Sequence, residues 1–384
     1  MQQPIRRRTF VASAAAAAAG LASPRHLLAA ASWPRVADHA LAVVTGKPRE
    51  RGRRYGKQFG AAIARFLDQE IVTPFSRKVT RDDMLRYAGR CAREIRAYSP
   101  EIHDELEGMA EGAGVGLEDV IAITLHEEFY HQGILPEAEH CTAIAAGPPD
   151  TDDKHTYVGQ TWDWFASLYG VSQMLLWKRA EGPSVLAYAY PGLWIGAGLN
   201  SVGIALCWTS AEGKDISGPR VGIPSYVLIA RMLYQESLKD ALEEARRAKH
   251  AGWFTFVLAD GEGRLANVEG SPKELAIEEH NGHLARVLFG SRKMTGTPEG
   301  QPVRYHPRGR KMYDLLGENK GQLNEVRLRD LLSDQSICAC DATNELRQVR
   351  TIDAMLFDTT ARQALVTRGP IGSRPGKRFG FDQG

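Results

Sequence analysis

One cysteine in this sequence stands where a covalent catalyst would put it. His140-Cys141-Thr142-Ala143-Ile144-Ala145-Ala146 is a β-prone run that opens on a thiol. A polar stretch, Pro148-Pro149-Asp150-Thr151-Asp152-Asp153, turns the chain, and Gly159-Gln160-Thr161-Trp162-Asp163-Trp164 brings a carboxylate back between two indoles. The pattern predicts a hairpin with a thiol at the start of one strand and an acid at the end of the other. If the His140–Cys141 bond breaks, Cys141 becomes an N-terminus that carries both a nucleophile and its own base. A free α-amine titrates near ~8 and can take the thiol proton. Asp163 would then orient the amine or hold its charge. A carboxylate between two tryptophans needs a donor or a cation if it is buried, and the Cys141 ammonium supplies one.

Two rival chemistries are weaker. A papain-like Cys141 would borrow His250, His280, His283 or His306 as base. However, the C-G-[SA]-C-[WY] signature is absent, and Cys141 opens a strand rather than a helix. His126-Glu127-Glu128-Phe129-Tyr130-His131 invites a zinc reading, but its histidines are five apart. Five residues turn a helix by about 140°, so the two cannot share a face. The remaining cysteines fit no disulfide scaffold: Cys91 and Cys207 read as small buried residues, and Cys338 and Cys340 lack further metal ligands nearby.

At Cys141-Thr142 and Gly159-Gln160-Thr161-Trp162-Asp163-Trp164 the sequence resembles peptidase family C45, the autoproteolytic N-terminal-nucleophile hydrolases of the isopenicillin N (acyl-CoA:6-aminopenicillanic acid) acyltransferase type. The resemblance extends over about residues 45 to 370. It includes Gly108-Met109-Ala110-Glu111-Gly112-Ala113-Gly114, Gly198-Leu199-Asn200-Ser201-Val202-Gly203, and Leu331-Leu332-Ser333-Asp334 followed by Ser336-Ile337-Cys338. It implies an α+β fold, the αββα sandwich, with a helical N-terminal segment. It also implies autocleavage between His140 and Cys141, where glycine would be the more familiar neighbour.

The resemblance places an oxyanion donor at Thr255, five residues before Asp260, where relatives often carry asparagine. Asparagine is likewise common in relatives where Thr161 and Thr209 stand. A hydroxyl can donate one hydrogen bond as an amide can, with shorter reach. A family arginine falls within Arg304-Tyr305-His306-Pro307-Arg308-Gly309-Arg310, and alignment favours Arg308. Trp162 and Trp164, with Trp194 and Trp208, suit an apolar or aromatic acyl group, and plain core packing accounts for them equally well.

The elements that must position these residues can be read along the chain. Arg7-Arg8-Thr9-Phe10-Val11, an alanine-rich run and Ala29-Ala30-Ala31 read as a twin-arginine export signal over 1–31, too short to span a membrane. This points to a periplasmic or secreted protein. Residues 32–140 read as a mostly helical α-chain segment, and 141–384 as the nucleophile-hydrolase core, or β chain. Strands are predicted at 141–146, 156–164, 173–179, 184–190, 193–198, 202–209, 253–259, 264–270, 352–358 and 363–368, and helices at 308–316 and 326–332. Strands, then helices, then strands, without βαβ alternation, suit a sheet-on-sheet core covered by helices.

Composition agrees with one exported globular enzyme. Apolar residues make up 43% and charged residues 24% of 384. The net charge of +2 includes Arg6, Arg7, Arg8 and Arg25, so losing these four leaves −2, and no nucleic-acid partner is implied. The expectation is a cofactor-free, metal-free hydrolase of a linear amide, such as an N-acyl amino acid or small peptide. It would act through a thioester, with the α and β chains staying associated. The alternatives are an acyltransferase, or a non-catalytic binding protein on the same scaffold.

Overall fold

The structure, a computed structural model, describes residues 39–75, 79–130, 141–211, 220–303, 305–339, 349–369 and 371–383. The expected signal segment, His131, His140, Arg304 and Cys340 lie outside the described residues.

Among the described residues, fourteen strands form two sheets. They are β1 (Leu41–Gly46), β2 (Thr142–Ala146), β3 (Tyr157–Phe165), β4 (Gln173–Arg179), β5 (Val185–Tyr190), β6 (Leu193–Asn200), β7 (Ala205–Thr209), β8 (Phe254–Ala259), β9 (Leu265–Gly270), β10 (Leu275–His280), β11 (His283–Arg286), β12 (Val349–Asp358), β13 (Gln363–Arg368) and β14 (Lys377–Gly380). The eight-stranded sheet runs β1-β4-β5-β6-β7-β8-β9-β10 and the six-stranded sheet β11-β2-β3-β12-β13-β14. The sheets meet face to face where β2 and β3 pack on β7 and β8.

Helices Pro307–Glu318 and Glu325–Leu332 cover the outer face of the six-stranded sheet. Helix Ser225–Leu233 packs on β6 and β7, and helices Pro48–Phe66 and Pro100–Ala113 stack beyond it. The layering is therefore helix, sheet, sheet, helix, as the sequence predicts. Strands β1, β10, β11 and β14 and the helix Leu117–Thr124 are additions to the sequence reading.

Residue alternation decides which layer each β3 side chain enters. Val158 and Trp162 join the core between the sheets, whereas Tyr157 joins Ile144, Met312, Leu316 and Leu332 under the outer helices. Asp163 shares the parity of Tyr157 and so faces the helix Pro307–Glu318. Gln160 shares that of Trp162 and faces the eight-stranded sheet.

The N-terminal segment is bound into this sandwich rather than appended to it. β1 pairs in parallel with β4. Tyr55, Ile63 and Phe66 on helix Pro48–Phe66 are buried, and burial of Ile63 and of Phe66 contributes about 1.5–3 kcal/mol each. The Tyr55 hydroxyl also donates to the Tyr190 carbonyl at 2.9 Å and accepts from the Gly192 amide at 3.1 Å. The glycines of Gly108–Gly114 have a packing role: a Cβ at Gly108 or Gly112 would strike the backbone of Arg49 or Arg53 on the facing helix. Gly114 ends the helix in the left-handed region, φ 71°.

Candidate active site

Cys141 lies immediately before β2 and is 4% exposed. The ladder Thr142↔Thr161 continues the predicted hairpin, and the Asp163 amide approaches the Cys141 Sγ at 3.4 Å. Burial, and then the Asp163 charge, push the thiol well above its ordinary range, so in the uncleaved chain it is a neutral thiol. On the other sheet, β7 pairs with β8 so that Thr209 stands opposite Thr255. The Thr209 hydroxyl donates to the Cys141 carbonyl at 2.8 Å. The Thr255 hydroxyl beside it is fully buried and has no hydrogen-bond partner among the described residues.

The Asp163 carboxylate is held on the helix side of β3. Arg308 Nη1 reaches its Oδ2 at 2.7 Å, and the Thr351 hydroxyl donates to its Oδ1 at 2.5 Å. Arg308 comes from the first turn of helix Pro307–Glu318, where His306 caps the helix by accepting the Arg308 amide. This separates the arginine candidates: Arg310 pairs instead with Asp314 on the surface.

The sequence-derived residues thus divide. Cys141, Asp163, Thr209, Thr255 and Arg308 are gathered at the ends of β2, β3, β7 and β8. Thr161 has a structural task, since its hydroxyl accepts the Thr142 amide at 3.1 Å. Trp162 packs edge-on against Trp208 with centroids 5.5 Å apart, and Trp164 meets the His126 ring at 5.1 Å. Trp194 is buried, with its indole nitrogen 3.4 Å from the Tyr234 hydroxyl. Among the described contacts, His250, His280, His283 and His306 do not reach Cys141. His250 meets Phe254, His283 binds Asp150, and burial lowers His250 to about 4.

Thr351 and Gln160 escaped the sequence reading, and the His126-Glu127-Glu128 stretch entered it only as a rejected zinc motif. Thr351 lies 188 residues from its partner Asp163, and nothing local marks it. Gln160 stands inside the quoted motif but was given no role. The His126-Glu127-Glu128 stretch is buried as well. His126 stacks on Tyr226 at 4.8 Å, Glu127 accepts from Ser210 at 3.2 Å, and Glu128 accepts from both the amide and the hydroxyl of Ser225. Burial pushes the Glu128 carboxyl up to about 7.

Cys91, Cys141 and Cys207 are free thiols, whereas Cys338 is disulfide-bonded, a pairing the sequence reading did not foresee. One group of described residues, His103, Asp104 and Glu107 on helix Pro100–Ala113, has metal-ligand spacing, and it is not part of the Cys141 constellation. No helix of the described residues is long and apolar enough to cross a membrane.

A two-sheet sandwich between helical layers, with a cysteine heading an inner strand and hydroxyls of the opposite sheet beside it, is the architecture of N-terminal-nucleophile hydrolases. The chain belongs to the acyl-coenzyme A:6-aminopenicillanic acid acyl-transferase family, whose model matches residues 150–369, or 220 of 384. The match includes Asp163, Thr209, Thr255 and Arg308 and begins after Cys141. The chain is also similar to two solved structures. A variant of conjugated bile acid hydrolase from Clostridium perfringens is 14% identical, with 64% of this chain and 93% of that one covered and a TM-score of 0.43. Penicillin V acylase from Agrobacterium tumefaciens is 10% identical, with 63% and 86% covered and a TM-score of 0.41.

Proposed function

We propose that the chain matures by cleaving itself between His140 and Cys141 and then hydrolyses a linear amide, such as an N-acyl amino acid or small peptide, outside the cytoplasm. The observation that carries this reading is the placement of Cys141. It heads an inner strand, its carbonyl is gripped by Thr209, and the Thr255 hydroxyl, with no partner among the described residues, lies one strand away. In the mature form the Cys141 α-amine takes the thiol proton as Sγ adds to the substrate carbonyl. Thr255 donates to the oxyanion, and the leaving amine receives the proton as the C–N bond breaks. Water then resolves the thioester to the free acid. Asp163, held by Arg308 and Thr351, steadies the ammonium from the helix side.

Residues Arg7-Arg8 and the alanine-rich run favour twin-arginine export of a folded precursor. Outside the cytoplasm acyl-CoA is not at hand, which favours water over an amine as the acyl acceptor. The α-chain segment stays bound, because Tyr55, Ile63 and Phe66 lose their burial if it leaves.

Edman sequencing and mass analysis test the maturation: the C-terminal piece should begin at Cys141. A panel of N-acyl amino acids, penicillins and short peptides, assayed with EDTA present, tests the chemistry. An intact single chain in active protein would overturn the maturation. Activity lost with EDTA, or seen only with acyl-CoA, would overturn the hydrolase.

A further inference from the structure

The pairing of Thr209 with Thr255 continues one strand further. Thr255 on β8 stands directly opposite Glu269 on β9, so Thr209, Thr255 and Glu269 form one row across the eight-stranded sheet. The row starts at the nucleophile, where Thr209 holds the Cys141 carbonyl, and ends on a fully buried carboxylate. Side chains directly opposed on one face have Cβ atoms about 4.5–5.5 Å apart, close enough for a hydroxyl to meet a carboxylate. Glu269 is thus an acceptor in register with the Thr255 hydroxyl, yet that hydroxyl has no partner among the described residues.

Glu269 is already full. Its Oε1 accepts from Asn267 Nδ2 at 2.8 Å, Arg286 Nε at 3.2 Å, the Gly290 amide at 2.8 Å and the Ser291 amide at 3.1 Å. Its Oε2 accepts from the same Ser291 amide at 2.9 Å and from the Ser291 hydroxyl at 2.7 Å. These are five donor groups on a carboxylate that offers about four lone-pair sites. Both sheets contribute. Arg286 ends β11 of the six-stranded sheet, paired with Ala143 of β2, and its guanidinium crosses to β9. Gly290 and Ser291 follow on the same stretch of chain. The Arg286 side chain is itself buried, so it neutralises the acid out of reach of solvent.

An oxyanion donor serves the reaction only if its hydrogen is not already committed. A Thr255 hydroxyl bonded to a buried carboxylate would hold a charge-assisted hydrogen bond, one of the stronger kinds, and would have to break it at each turnover. An uncompensated Glu269 charge would also oppose an oxyanion forming beside it. We propose that Asn267, Arg286, Gly290 and Ser291 position Thr255 for the reaction: by saturating Glu269 they deny the hydroxyl its neighbouring acceptor and leave its hydrogen to the oxyanion. The inference deepens the amidase reading and rests on it for the role of Thr255.

The test is a pair of double-mutant cycles on the full-length protein. Ser291→Ala opens a place on Glu269 Oε2. It also removes the cap of the short helix Arg292–Thr295, where the Ser291 hydroxyl accepts the Met294 amide at 3.3 Å, so its effect alone is not diagnostic. Asn267→Ala opens Oε1 and takes its place in both cycles if loss of that cap unfolds the chain. The first cycle needs no activity and uses urea unfolding in a Cys141→Ala background. Thr255→Val should leave the folding constant unchanged or raised in the parent. In the opened chain, where the hydroxyl has turned to Glu269, it should lower that constant roughly tenfold. The second cycle is kinetic. Ser291→Ala should lower kcat roughly tenfold with KM within twofold, and should cost nothing further in a Thr255→Val chain. Ser291→Thr, which keeps the hydroxyl, should rescue the loss. Equal effects of Thr255→Val in parent and opened chains, a kcat loss that persists without the Thr255 hydroxyl, or a loss that Ser291→Thr does not rescue would overturn the positioning role. No hydrolysis of any amide in the panel, with the unfolding cycle still coupled, removes the amidase and keeps the relation of Thr255 to Glu269. Hydrolysis with additive cycles keeps the amidase and removes that relation.

Discussion

Replacing Arg308 with methionine gives a sharp test of how Asp163 is held. The guanidinium lies 2.7 Å from the carboxylate; the Asp163 side chain is fully buried and that of Arg308 is 13% exposed. At that distance and an effective dielectric of about 20, the attraction is about 6 kcal/mol before desolvation is counted. Desolvation of the acid offsets much of it, so the informative quantity is what each single change leaves behind. Arg308→Met strands a buried carboxylate with the Thr351 hydroxyl still in place, and should destabilise by about 3 kcal/mol, the low end for breaking a buried pair. Asp163→Asn keeps a polar partner for Thr351 and leaves a cation with some access to water, so it should cost about half as much. The coupling energy from the double-mutant cycle should be about 2 kcal/mol. The cycle is measured by urea unfolding in a Cys141→Ala background, where the chain stays in one piece, from midpoints converted with a common m-value. A coupling below about 0.5 kcal/mol, or a larger loss for Asp163→Asn than for Arg308→Met, would refute the claim that this pair is a buried clamp rather than a screened surface contact.

Three further outcomes are expected. Cys141→Ala should remain a single chain by mass analysis with no amidase activity, while Cys141→Ser should cleave slowly, because a hydroxyl makes the same acyl shift as a poorer nucleophile. Thr255→Val removes a buried hydroxyl that has no partner among the described residues, so stability should hold or rise while kcat falls roughly 10²-fold; a kcat within twofold of wild type would remove Thr255 from the oxyanion site. Glu128, raised to about 7 by burial, binds a proton more tightly folded than unfolded, so its contribution to stability is full below its unfolded value and is lost as pH climbs through 7. Glu128→Gln should therefore flatten the fall in stability between about pH 5 and 8, a change of about 2–3 kcal/mol in denaturation midpoints converted with a common m-value.

Much of this protein is local in origin and was legible in the chain. The hairpin of β2 and β3 follows from apolar runs around a Pro-Pro-Asp turn, and both strands begin within a residue of their predicted starts. β4 and β13 match their predicted limits because clear turn residues bound them. The helix Pro307–Glu318 announces itself by proline at its first position. Cys141 and Asp163 could be named from residue type and spacing, whereas Thr255 and Arg308 came only through the family resemblance.

What the chain could not disclose was which of these residues touch, and from which side. Parity along β3 sends Asp163 toward the helices and Gln160 toward the other sheet, so neighbours in one motif serve different layers. That choice depends on which face of the strand is covered by what, a tertiary fact. Thr351 became a partner of Asp163 only when β12 came to lie beside β3. Thr161, grouped with Thr209 by the resemblance, is set apart from it by one hydrogen bond, in which its hydroxyl accepts the Thr142 amide. Strands β10, β11 and β14 carry charged residues and weak alternation, and only pairing with stronger neighbours makes them strands. The short pairing of β6 with β7, at Gly198↔Leu206 and Leu199↔Ala205, has no sequence signature either, because how far a strand pair extends depends on what packs against it.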